Sequence, residues 1–89
     1  MQTITVRKPD AKEIAALGAK SWPVWGCPPS TFDWHYDSQE TCLILEGQVT
    51  VEAPGQKVSF GPGDLVIFPE GLSCKWIVTQ AVKKHYKFG

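Results

Sequence analysis

No stretch of this chain approaches the ~20 consecutive apolar residues that a membrane-spanning helix requires. The opening Met1-Gln-Thr-Ile-Thr-Val-Arg7 also lacks a basic segment followed by an apolar run of the kind that directs export. A cytoplasmic protein is the expectation. Neither sign of charge is in excess, since nine Lys and Arg balance nine Asp and Glu. No basic face is implied for a nucleic-acid backbone or an anionic bilayer, and neither is an expected partner. The one basic cluster, Lys83, Lys84 and Lys87, reads as a solvated edge. Cysteine is scarce: Cys27, Cys42 and Cys74 are odd in number and widely spaced, with no Cys-x-x-Cys pair to suggest a zinc knuckle or a redox motif. Reduced thiols follow. With 89 residues and no repeat, linker or low-complexity tract, the chain forms one small domain over residues 1–89.

Helix signals are also few. Asp10 caps a single short segment, Glu13 follows three residues on as in a capping box, Ile14 and Leu17 give an apolar stripe, and Gly18 ends it. Elsewhere period-two patterns dominate: Thr3–Arg7, Phe32–Tyr36, Thr41–Leu45, Gln48–Glu52, Gln56–Phe60, Leu65–Phe68, Cys74–Val78 and Val82–Phe88. Turn formers bound them at Glu46-Gly47, Ala53-Pro54-Gly55, Gly61-Pro62-Gly63 and Phe68-Pro69-Glu70-Gly71. So many short strands predict an all-β sandwich or barrel with one short N-terminal helix lying over an edge. Trp22–Ser30 holds three prolines and reads as loop, with its two tryptophans seeking apolar cover over a barrel mouth.

Two glycine-anchored segments carry the most information. Glu40 is followed by six residues and Gly47, and Gly63 by five residues, Pro69, one residue and Gly71. These spacings resemble the two motifs of a cupin, and the resemblance implies a small antiparallel double-stranded β-helix, or jelly-roll, barrel. More narrowly, Trp22-Pro-Val-Trp25, Tyr36-Asp37, Leu45-Glu-Gly47, Cys74-x-Trp76 and Lys84-His-Tyr86 resemble very small cupins related to the (S)-ureidoglycine aminohydrolase cupin domain. In the cupin family the first motif supplies two His and a Glu as metal ligands and the second a further His. Here most of those positions hold other residues.

Two alignments of the first motif stand. One places Asp33 and His35 at the two His positions, the other Trp34 and Tyr36. Strand alternation puts Phe32, Trp34 and Tyr36 on one face and Asp33, His35 and Asp37 on the other, and the apolar face fits the interior better. Glu40 is fixed by its spacing to Gly47 and shares a strand face with Cys42 and Ile44, which directs it inward. Burial raises a carboxyl pKa, by up to ~3–5 units when complete, so Glu40 is a candidate general acid or base. Cys74 stands at the second motif's His position, a candidate soft ligand or nucleophile and equally a small core hydrophobe. His85 lies outside both motifs and reads as a structural or surface residue.

The favoured expectation is a cavity with an aromatic wall of Trp34, Tyr36 and Trp76 and a polar floor of Glu40 and Cys74, binding an amine- or amide-bearing small molecule. No cofactor is favoured. The alternative is a hydrolase or isomerase resembling ureidoglycine aminohydrolase, with Glu40 and Cys74 catalytic and a divalent Mn, Zn, Fe or Ni held by His35, Glu40 and Cys74. A third expectation is an assembly module, with Trp22 and Trp25 docking a partner or a second copy in a homodimer.

Overall fold

The computed structural model describes residues 2–89. Its strands are β1 (Thr5–Arg7), β2 (Val24–Cys27), β3 (Ser30–His35), β4 (Glu40–Ala53), β5 (Gln56–Phe60), β6 (Leu65–Phe68) and β7 (Ser73–Phe88), with one α-helix, α1 (Ala11–Leu17), followed by a short 3-10 helix at Ala19–Ser21. All recorded pairings are antiparallel. The expected all-β architecture with one short N-terminal α-helix is what forms, though β4 and β7 are longer than the short strands expected.

Two long strands organise the rest. The first half of β4 pairs with β6 and with the end of β7, from Glu40↔Phe88 to Ile44↔Lys84. Its second half pairs with β5 and with the start of β7, from Val49↔Val78 to Glu52↔Lys75. β1 extends the first group through β6, while β2 lies against the end of β7 and β3 against its start. Between the halves the ladder slips, at Ile44/Glu46, Glu46/Gln48 and Gln48/Val49. Such a bulge bends a strand and lets it serve two sheets. The two strands expected on either side of Gly47 are therefore one bent strand, as are those expected at 74–78 and 82–88.

Gly47 is the residue that the bend requires. Its φ is +97°, and a Cβ placed there would lie 2.7 Å from Val82 Cα and against the Ala81 carbonyl. β2 corrects a second expectation, since Val24–Cys27 pairs with Val82–His85 although the sequence reads as loop. Pro23, Pro28 and Pro29 only bracket it, so no ladder donor is lost.

Alternation sorts the side chains. Cys42, Ile44, Val49, Val51, Phe60, Val66, Phe68, Trp76 and Val78 pack together inside the barrel. Leu43 and Leu65 point the other way and are covered by Ala19, Ile14 and Trp22. β4 is thus buried on both faces at its start, which explains its unbroken apolar run. Asp10 Oδ1 accepts from the Glu13 backbone N–H at 2.8 Å, and Gly18 closes α1 at φ +69°. The Glu13 carboxylate pairs with Arg7, tying helix to β1. No helix among the described residues is long and apolar enough to cross a membrane.

Gly47→Ala is predicted to cost about 2–5 kcal/mol, the sum of the left-handed backbone penalty and overpacking. Gly55→Ala, at φ +75° with open space around it, loses only the conformational part, about 1–2 kcal/mol. Urea unfolding of the two variants measures the difference.

Candidate functional site

The alternation that fills the barrel leaves one end open, in a cavity of about 250 Å3. β3 and the residue after it contribute Phe32, Trp34 and Tyr36, every second position, and β7 contributes Trp76, Lys84, Tyr86 and Phe88 in the same rhythm. Trp25 from β2 and Glu40 from β4 complete the lining. Tyr36 is pinned by the corner at Pro69–Leu72: its N–H donates to the Leu72 carbonyl at 2.9 Å, and its own carbonyl accepts from the Gly71 N–H at 2.7 Å. The motif's proline and glycine thus set the position of an interior side chain. At the other edge the Gly89 N–H donates to the Gln39 carbonyl at 2.9 Å, holding Phe88 beside the opening.

The aromatic rings interlock. Phe32 stacks on Trp76 with centroids 6.0 Å apart, Trp25 meets Trp76 edge-on at 6.3 Å, and Tyr36 stacks on Phe68 at 4.9 Å. Trp34 stands at the rim, 49% exposed, with its edge to Tyr36.

Within this apolar lining lies an ion pair. Lys84 Nζ donates to Glu40 Oε2 at 2.7 Å, and the two residues are 5% and 3% exposed. The ammonium also sits 4.5 Å from the Trp76 ring centroid and 5.0 Å from that of Trp25. Trp76 Nε1 donates to the Tyr36 hydroxyl at 3.2 Å. Burial, reinforced by the Glu40 charge, pushes the Tyr36 phenol far above its ordinary range, so it remains a neutral donor and acceptor.

Of the residues expected at the site, Trp34, Tyr36, Glu40 and Trp76 share the cavity. Cys74 does not line it. It packs in the core and borders a shallow outer depression with Asp33, His35, Ser73 and Lys75. Burial pushes its thiol up to about 11 and that of Cys42 to about 12, so neither is a ready nucleophile at neutral pH. His35 faces outward, its Nδ1 2.8 Å from Ser73 Oγ. His85 also serves structure, with Nδ1 2.9 Å from the Trp22 carbonyl. Trp22 itself packs on the outer cluster rather than over the cavity.

Lys84 corrects the expectation of a solvated basic edge, and the floor is a charge pair rather than a single carboxylate. Its signal was present in the alternation Val82, Lys84, Tyr86, Phe88, which puts one lysine on an otherwise apolar face.

The family model described as the EutQ-like cupin domain matches residues 14–86. The chain belongs to this family. A DUF861 family protein from Thermotoga maritima is 43% identical, with a TM-score of 0.96 over 98% of this chain and 100% of that one. A DUF861 family protein from Pseudomonas syringae, of unknown function, is 29% identical over 71% of this chain and 28% of its own, with a TM-score of 0.64. The EutQ protein of Clostridium difficile shares the fold at 20% identity and a TM-score of 0.67, over 96% of this chain and 66% of its own. No curated protein matches.

Membership raises the question of a metal, and this cupin's residues do not fit one. Among the described residues no three His, Cys, Asp or Glu side chains lie together as ligands, so the set His35, Glu40 and Cys74 is not assembled. Glu40 is engaged by Lys84, whose ammonium would repel a divalent ion alongside it.

The thiols give a check on this burial. Cys27, half-buried beside Ser30 Oγ at 3.9 Å, is predicted to react with a thiol reagent at pH 8 well before Cys42 and Cys74, which react on unfolding. The raised thiols also set a sign. Their unfolded value is near 9, so their contribution is intact below pH 9 and is lost as pH climbs from there towards 11 and 12. Labelling followed by mass spectrometry, and urea midpoints taken across that range, measure both.

Proposed function

We propose that this cupin binds a small, neutral, planar molecule bearing an amide-type group, a carboxamide or ureide. The observation that carries this reading is the buried Glu40–Lys84 pair at the apolar cavity. The pair has no net charge. A ligand carrying a charge would be desolvated with no free counter-ion to meet it, at a cost of several kcal/mol.

A neutral amide presents what the pair can use. Its carbonyl oxygen can accept from the remaining Lys84 ammonium hydrogens, and its N–H can donate to the Glu40 carboxylate, both charge-assisted bonds. The flat group can lie against the aromatic faces of the lining, among them Trp34, Phe32 and Trp76. An amine is disfavoured because Lys84 already meets the carboxylate. The volume of about 250 Å3 falls below the ~300–1,000 Å3 of drug-sized pockets, which limits the ligand to a small metabolite. A hydrolase acting on the same ligand class would need a group that activates water. Glu40 would have to do this while paired.

A thermal-shift screen of carboxamides, ureides, alkylamines and short carboxylates at matched ionic strength tests the proposal. A neutral amide at ~100 times its Kd is expected to add about 2.7 kcal/mol of stability, and Lys84→Met is expected to abolish the response. Stabilisation by amines or carboxylates with no response to any neutral amide would overturn it.

A further inference from the structure

We infer that the cavity contains a cation cage already filled by the chain's own Lys84, and that this occupant decides the charge class of ligand the site accepts. The inference rests on the binding reading only for the claim that wild-type ligands are neutral.

The surroundings of the Lys84 ammonium are those by which proteins recognise a free alkylammonium ion. A carboxylate oxygen stands at 2.7 Å, and ring centroids of Trp76, Trp25 and Tyr86 at 4.5, 5.0 and 6.0 Å. Aromatic faces attract a cation through their quadrupole, most strongly when water is excluded. The chain's other Lys–carboxylate contacts differ. Lys8 lies 3.6 Å from Asp64 and Lys57 3.7 Å from Glu52, both lysines well exposed. Among the described residues only Lys84 combines aromatic cage, short contact and burial. The Lys84 side chain lines the cavity and meets a carboxylate there.

The consequence is a defined specificity role. While Lys84 is present, an incoming ammonium meets a like charge and an engaged carboxylate. Shortening the side chain leaves Glu40 without its cation and opens room for a small cation where Nζ stood, beside the Trp25 and Trp76 rings. Lys84 is in this sense a specificity-determining residue, and its removal should convert a site for neutral molecules into one for alkylammonium ions.

The test titrates Lys84→Ala and Lys84→Ser with methylammonium chloride, using sodium chloride at equal ionic strength as control, and reads the melting temperature. The serine variant keeps a polar group on the cavity wall in case the alanine variant folds poorly. Both are expected to gain roughly 10–20 °C at about 100 times Kd over the salt control. Wild type and Lys84→Ala/Glu40→Gln should show no methylammonium-specific shift. An ammonium-driven recovery of folding in a variant unfolded without it is the same positive result. Absence of a methylammonium-specific effect in both small variants, whether folded or unfolded throughout, would overturn the inference. A wild-type response to neutral amides alongside that absence would leave the binding proposal intact. A cage response without any amide response would sink the binding proposal alone.

Discussion

The Glu40–Lys84 ion pair is the constraint around which the open end of this barrel is arranged. Lys84 is the ladder partner of Ile44, four positions along β4 from Glu40, so the pair runs lengthwise between the two long strands. Removing two charges from water costs several kcal/mol each, and the mutual attraction recovers this only with short, well-oriented contacts. The 2.7 Å contact and the rings of Trp25 and Trp76 supply those conditions. Well-packed apolar residues would serve stability as well or better. A pair kept at a cavity rather than in the closed core is therefore best understood through the cavity.

That view links fold to chemistry. The bend at Gly47 lets β4 and β7 serve both halves of the barrel, and the corner at Pro69–Leu72 fixes Tyr36 through two backbone hydrogen bonds, with Gly71 and Leu72. These positions give the cupin motifs their spacing, and they place Glu40 and Tyr36 inside whatever the remaining residues are. In this member Trp34 and Tyr36 occupy the inward positions of β3 and its extension, and an ammonium meets the carboxylate. The barrel combines the cupin frame with an aromatic cavity whose ion pair carries no net charge.

Much of this was legible in the sequence, for physical reasons that differ by residue. Alternation of Phe32, Trp34 and Tyr36 against Asp33 and His35 identified the inward face, because a strand's period leaves no third choice. The cap at Asp10 and the stop at Gly18 bounded α1 because both act locally. Lys84 was missed because Lys83 and Lys87 make it part of a charged run, and composition outweighed the Val82, Tyr86 and Phe88 on its own face. β2 was missed because proline density describes its flanks rather than its four residues. Gly47 reads equally as a turn or a bulge, and the choice depends on the distant Ala81 and Val82 backbone. Cys74 occupies a motif position, but spacing cannot tell a cavity wall from the layer behind it.

A double-mutant cycle on folding stability tests most directly whether the buried pair is the organising interaction. Glu40→Leu and Lys84→Met should each cost about 3–5 kcal/mol, since each leaves a buried charge without its partner. The combined Glu40→Leu/Lys84→Met variant should be no less stable than either single variant and close to wild type. Single losses below about 1 kcal/mol, as for a surface pair, or losses that simply add, would contradict the account.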